Sequence, residues 1–322
     1  MRAILFEAPG KIRLIIDAPK PVPQDGELLG RCTHIGLCGS SMDLYLGQGR
    51  WAKTNWPAIP GWMGHENLGI VAESPYEELP PGTPVLAHPE VYAGFADFIT
   101  SRPEGTVALP QVADPISLVV AQPLATVLRA LSYLPPVMNL RCVVLGQGPL
   151  GLIFTNLLAH MGAAQVIGMD PVRWRLDWSR RMGATDAVDA SAENVVDAVK
   201  ELTSGRVVDL AIEAVGSPES LNTSAYLPRC GGRLCVFGMP RDDLEGFPWF
   251  HATGNDVQIT TCRSGDRATA FFPVAVRMVV ERQTEVADLV TPRMPWERAL
   301  QAFDMYANPA RHEGALRITL EL

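Results

Sequence analysis

The apolar run Cys142-Val143-Val144-Leu145 passes directly into Gly146-Gln147-Gly148-Pro149-Leu150-Gly151, and helix-spaced apolar residues follow at Leu150, Ile153, Phe154, Leu157, Leu158 and Met161. A strand that ends in Gly-x-Gly-x-x-Gly and opens an amphipathic helix leaves few folds available. The three glycines serve distinct mechanical ends, namely a tight turn, close approach of the backbone to a pyrophosphate, and close helix–strand contact. The helix N-terminus then offers free N–H groups and a partial positive charge to phosphate. Alone the motif is a weak signal, because an ordinary glycine turn has the same spelling. Its context strengthens it: the next strand, Gln165 to Met169, delivers Asp170 nineteen residues after Gly151. A carboxylate there accepts hydrogen bonds from ribose hydroxyls and repels a 2′-phosphate, which favours NAD over NADP. Asp170 ahead of Pro171 can also cap a helix, and the two roles are compatible. Arg173 and Arg175 lie near enough in sequence to accommodate a phosphate and so temper the preference.

Around this unit, helix-spaced apolar positions begin near residue 115 with Leu118, Val119, Ala125, Leu128 and Leu131, and strands then alternate with amphipathic helices. Further strands are expected at Asp209 to Ile212 and at Arg233 to Phe237. Such alternation predicts a doubly wound parallel sheet over about 116–262. Residues 1–115 read differently, as short strands at Ala3 to Phe6, Ile12 to Ile15 and Glu27 to Ile35, punctuated by Pro and Gly in the manner of a barrel-like unit. The α/β pattern ends near 262, and Gly314 to Leu320 reads as one more strand, able to return to the first domain.

At 322 residues, 47% apolar and 19% charged, the chain is long enough for two domains with cores that need no staples. A net charge of −8 without any Lys or Arg run argues against nucleic acid and anionic membrane as partners. No stretch reaches the length of a membrane span, and the N-terminus meets charge and then Pro9-Gly10 too early for a signal peptide, so a cytoplasmic location is expected. Six scattered cysteines without a Cys-x-x-Cys fit a reducing compartment. Most are expected to be buried fillers.

Cys38 stands apart. It sits in Gly36-Leu37-Cys38-Gly39-Ser40-Ser41-Met42-Asp43, and His65 follows 27 residues later in Gly64-His65-Glu66. Thiolate, imidazole and carboxylate are zinc donors, and a catalytic zinc keeps one position open. Without further context, one Cys and one distant His read as readily as structural residues.

Taken together, Met1-Arg2-Ala3, Gly-x-Cys-Gly-Ser, Gly-His-Glu, Gln122-Pro123-Leu124-Ala125, the Gly-x-Gly-x-x-Gly with Asp170 and the closing segment resemble the medium-chain dehydrogenase/reductase superfamily, in its zinc alcohol, polyol and sugar dehydrogenase branch. The resemblance spans essentially the whole chain. It implies a GroES-like β-rich catalytic domain (1–115, completed by about 263–322), a Rossmann domain (116–262), and a catalytic zinc in the cleft between them. It implies Cys38 and His65 as zinc ligands, Glu66 as a ligand or close neighbour, Gln122 as a neutral donor where relatives usually carry Glu, and Ser40 as a proton-relaying hydroxyl. It also implies that Gly146, Gly148, Pro149, Leu150, Gly151, Asp170, Arg175, Val215, Phe237 and Gly238 face the NAD cofactor.

The chain departs from the family pattern in two further places. Ser41 stands where relatives have an Asp, which removes a carboxylate from behind the ligands. The four-cysteine lobe that holds a structural zinc is absent, because the chain passes from Ala87-His88-Pro89-Glu90 to Gly94-Phe95-Ala96-Asp97 in a few residues. His88 and Asp43 lie on segments that border the cleft in relatives, where either is placed to touch substrate, but they read more readily as a surface histidine and a turn-stabilising aspartate. Trp51, Trp56 and Trp62 line the pocket or pack the small domain. The function expected is reversible oxidation of a secondary alcohol to a ketone with zinc and NAD, in a homo-oligomer. The alternatives are a zinc-free reductase of enones or quinones and a non-catalytic nucleotide-binding relative.

Overall fold

Three sheets organise the described residues: one of six strands, wholly parallel, one of seven, largely antiparallel, and a two-stranded antiparallel pair of Ala3–Ala8 and Lys11–Ile15. The computed structural model describes residues 1–192, 194–240, 243, 245–262 and 265–322, apart from the side chains at 50, 51, 265 and 266, so Trp51 lies outside the described side chains. The chain divides into one unit of Met1–Thr126, Gly265–Gln283 and Ala287–Leu322, and a second of Val127–Ser264 and Thr284–Val286.

The first unit is β-rich. Its seven-stranded sheet runs in the order Arg293–Pro295, Thr319–Glu321, Leu28–Gly36, Asn67–Glu73, Pro84–Ala87 and Thr106–Ala108, with Phe98–Ser101 also paired to Leu28–Gly36. The chain end does return here: Thr319, Leu320 and Glu321 pair antiparallel with Gly36, Ile35 and His34. It forms a shorter strand than Gly314 to Leu320 would allow, because Gly314 turns at φ 79 and Leu316 and Arg317 donate to Thr291 O instead. Phe303, from the helix Ala299–Ala307, packs edge-on against Phe6 and Phe95 at 5.5 and 5.4 Å, which ties the terminal segment to the N-terminal core. Trp56 and Trp62 pack against this same core. The first unit runs past residue 115 because the turn Pro115–Val120 packs on Leu28–Gly36 and Asn67–Glu73.

The second unit carries six parallel strands in the order Asp186–Asp189, Gln165–Asp170, Arg141–Leu145, Val208–Glu213, Pro228–Val236 and Gln258–Thr261. Numbered along the unit, this is 3-2-1-4-5-6, the doubly wound Rossmann order, with its switch point between Arg141–Leu145 and Val208–Glu213. Helix Pro149–His160 is buried at every residue from Gly151 to Leu158. Met161, expected on its apolar face, is the C-cap and is exposed. Cys32, Cys142, Cys235 and Cys262 are buried, whereas Cys230 is exposed, and all six are free. Among the described residues, no helix is long and apolar enough to cross a membrane.

Candidate functional site

Strand Leu28–Gly36 ends two residues before Cys38, whose extended backbone (φ −115, ψ 153) caps the helix Gly39–Leu46. His65 and Glu66 immediately precede strand Asn67–Glu73, which pairs with Leu28–Gly36. That pairing brings residues distant in sequence together: Cys38 Sγ and one ligand atom each of His65 and Glu66 lie within 4.8 Å of one another. Donors tetrahedrally arranged about 2.0–2.3 Å from zinc sit about 3.5 Å apart, so the group needs only a small contraction to close on an ion.

The electrostatics favour a cation. Burial alone would push the Cys38 thiol up, but the neighbouring His65 ring, by charge and by hydrogen bond, outweighs it, with Arg317 and the Ser40 hydroxyl adding; the thiol falls from 9.0 to about 6. Cys38 is therefore a thiolate at neutral pH. Glu66, 1% exposed, forms an ion pair through Oε2 with the guanidinium of Arg317, also 1% exposed. Burial lowers Arg317 from 12.5 to about 10, opposed by the charge of Cys38, and leaves it cationic at neutral pH. With the His65 ring neutral, as a metal ligand must be, Cys38, Glu66 and Arg317 sum to a net charge of −1. Glu66 Oε1 is buried with no hydrogen-bond partner and lies 3.9 Å from His65 Nε2. An orphaned carboxylate oxygen beside a thiolate and an imidazole nitrogen fits a zinc ion.

Arg317 lies in the closing segment, where the sequence assigns it no role at the site. Its only signal in the sequence is one guanidinium in the otherwise apolar Ala315-Leu316-Arg317-Ile318. It alters the charge balance, since Glu66 is already paired before any metal arrives. Gly36 makes room for this pair: a Cβ there would fall 2.5 Å from Glu66 Oε2.

Ser40, Ser41 and His88 lie close to the three donors. His65 Nδ1 lies 2.9 Å from Met63 O, to which Ser41 Oγ also donates. Ser40 Oγ is buried. His88 is not a surface residue: it is 4% exposed, and its ring stands edge-on to Tyr92 at 4.8 Å and 6.4 Å from that of His65. The shortened segment after Ala87 causes this, because Tyr92 turns at φ 56 and folds its ring to within 5.8 Å of His65. Asp43 lies inside helix Gly39–Leu46, where its carbonyl accepts the capping N–H of Gly47. Gln122 is 3% exposed, in the first turn of helix Ala121–Leu131.

In the second unit, Gly148 caps helix Pro149–His160, with Leu150 in its first turn, and a Cβ on Gly148 would meet no protein atom within 4 Å. The space over the loop is open to a ligand. Gly151 is obligatory, since a Cβ there would lie 1.7 Å from Gly146 O. Asp170 is 3% exposed; its Oδ2 accepts from Gln147 N at 2.8 Å and its Oδ1 from Val172 N at 2.9 Å. It does not cap the following helix, whose N-cap is Val172. Arg175 Nη1 approaches Asp170 Oδ2 at 3.6 Å. At the neighbouring strand end, Val215 is exposed, Phe237 packs edge-on to Phe154 at 4.9 Å, and Gly238 N bonds Glu213 O. Glu213, which the motifs did not single out, is fully buried, and its Oε1 accepts from Val215 N, Gly216 N and Ser220 Oγ. One carboxylate thus shapes the whole turn, and the sequence hint is an acid ending an apolar strand before Gly216-Ser217-Pro218.

Residues 149–281 match the zinc-binding dehydrogenase family. Sorbitol dehydrogenase of Ovis aries is 27% identical over 94% of this chain and 92% of its own length. Among solved structures, alcohol dehydrogenase TADH from Thermus sp. ATN1 superposes with a TM-score of 0.87 at 22% identity, covering 100% of both chains. A protein from Sinorhizobium meliloti 1021 described as a zinc-binding dehydrogenase, with NADP bound, gives 0.83 at 22% identity, covering 100% of this chain and 99% of its own.

Proposed function

We propose, for a chain that belongs to the zinc-type alcohol and polyol dehydrogenase branch of the medium-chain dehydrogenase/reductase superfamily, that it reversibly oxidises a secondary alcohol of the polyol, sugar or cyclitol class to the ketone, with zinc and NAD. The observation that carries this reading is the clustering of Cys38, His65 and Glu66 within 4.8 Å around a depressed thiol. A zinc ion bound there supplies Lewis acidity that lowers the pKa of an alcohol, and NAD supplies the hydride acceptor.

The chain's own residues do the rest. Cys38 and His65 hold the ion, Glu66 offers its free Oε1, and Gln122 serves as a neutral donor. The Ser40 hydroxyl takes the substrate proton and passes it on. Gly146, Gly148, Pro149, Leu150 and Gly151 form the loop and helix start that receive the pyrophosphate, where the free N–H groups lie. Asp170 holds the adenosine ribose, with Arg175 beside it. Val215, Phe237 and Gly238 border the cofactor. The retained Cys38 and Gly64-His65-Glu66 weigh against a zinc-free reductase and against a non-catalytic nucleotide binder.

We place the protein in the cytoplasm, as a homo-oligomer joined through the edge strand Gln258–Thr261. Metal analysis of the purified protein, combined with a screen of polyols and sugars for NAD reduction, tests the reading. One zinc per chain and turnover of a secondary alcohol are expected; zinc-free protein that still oxidises its alcohol at full rate overturns it.

A further inference from the structure

Two hydrogen-bond donors share one backbone oxygen behind the candidate metal group. Ser41 Oγ donates to the Met63 carbonyl at 3.1 Å, and His65 Nδ1 lies 2.9 Å from the same oxygen. Ser41 is fully buried and His65 nearly so. A carbonyl oxygen only accepts, so Nδ1 carries the proton. In the neutral ring the lone pair then sits on Nε2, the nitrogen 3.9 Å from Glu66 Oε1. The carbonyl is itself held firmly. Met63 sits at φ 66, a region that residues with side chains rarely enter. The next residue, Gly64, donates to Gly61 O and accepts from Gly94 N.

We propose that Ser41 is a positioning residue for metal binding: its hydroxyl occupies one lone pair of the Met63 carbonyl and aims the other at His65 Nδ1, so that Nε2 faces Cys38 and Glu66 as a neutral donor. This rests on reading Cys38 and His65 as zinc-binding residues. It goes further in assigning the support of the imidazole to a carbonyl braced by a hydroxyl. A carboxylate in that place orients the ring, raises its basicity and adds a negative charge. The braced carbonyl orients the ring and adds no charge, which leaves the charge of the group to Cys38, Glu66 and Arg317.

Long-range nitrogen–proton correlation spectra of the metal-free full-length protein, labelled with ¹⁵N at histidine, read the tautomer of His65 without any metal or turnover. Competition titration with zinc reads the affinity. At a pH where the ring is neutral, the wild type is expected to show His65 protonated at Nδ1 alone. Ser41→Ala is expected to show mixed tautomers and about ten-fold weaker zinc binding at an unchanged unfolding temperature. Ser41→Thr, which keeps the hydroxyl, is expected to restore both. A neutral wild-type ring with its proton on Nε2, or Ser41→Ala with wild-type tautomer and affinity, overturns the proposal. If Ser41→Ala does not fold, the wild-type tautomer and Ser41→Thr decide. A wild type that binds no zinc but shows the Nδ1 tautomer, lost in Ser41→Ala, defeats the metal reading and leaves the positioning of the ring standing.

Discussion

Arg317 and Glu66 form an ion pair in which neither side chain is more than 1% exposed, and the Glu66 oxygen not facing the guanidinium has no hydrogen-bond partner. A buried pair of this kind is a poor source of net stability, because desolvating two charges offsets most of their attraction. Breaking it is another matter. Arg317→Met strands an unpaired carboxylate and is expected to destabilise the fold by about 3–5 kcal/mol in urea unfolding. Adding Glu66→Gln should recover most of that loss. An Arg317→Met protein as stable as the wild type would show that the pair does not persist in solution.

Zinc content should follow the donors in a definite order. Cys38→Ser is expected to abolish both zinc and turnover, since the thiolate is the strongest donor of the set. Glu66→Gln should weaken zinc binding more than Gln122→Ala does, because it alone removes a negative charge. Glu66→Gln also leaves Arg317 unpaired, so its affinity is best read at a temperature well below its own unfolding transition. The opposite order for Glu66 and Gln122, measured by metal competition, would assign the closer contact to the amide.

The Cys38 thiol makes both binding and stability depend on pH. Its folded-state value of about 6 lies below the ordinary 9.0. The stability it contributes to the metal-free protein is therefore complete above about 9 and is lost as pH falls towards 6. Zinc affinity should drop steeply as pH falls through 6, where the sulfur takes up a proton. Thiolate absorbance in a Cys230→Ser background isolates the signal, because burial raises Cys262 and pushes Cys32, Cys142 and Cys235 up to about 12. A first titration step near 9 would remove the basis for a thiolate ligand.

NAD should bind more tightly than NADP. In the proposed function Asp170 holds the adenosine ribose, and a 2′-phosphate there would meet its carboxylate. Arg175, 3.6 Å from that carboxylate, limits the gap. Asp170→Ala is expected to narrow it further, and Arg175→Ala to widen it. Equal affinities for the two cofactors in fluorescence titrations of the wild type would overturn the assignment.

Light scattering at micromolar concentration should return a mass above that of one chain. Strand Gln258–Thr261 ends its sheet with one side unpaired among the described residues, an arrangement that invites a second copy. A clean monomer mass would contradict this.

The dinucleotide unit was legible in the sequence because its determinants are local. Strand Arg141–Leu145, the loop Gly146 to Gly151 and the helix behind it follow one another within twenty residues, and each depends on backbone hydrogen bonds and side-chain periods of short range. Cys38, His65 and Glu66 were legible as donor types, though not as a cluster. Their meeting depends on the pairing of Leu28–Gly36 with Asn67–Glu73, and pairing register is set by packing across the sheet. The same holds more strongly for Arg317, carried to Glu66 by a terminal strand that pairs with Gly36 through Thr319. His88 changed from an expected surface residue to a buried one for a similar reason, since the turn at Tyr92 closes a ring over it. Residue chemistry and short-range periodicity are written along the chain. Which charge meets which, and which carbonyl braces which imidazole, is decided only when distant segments desolvate one another.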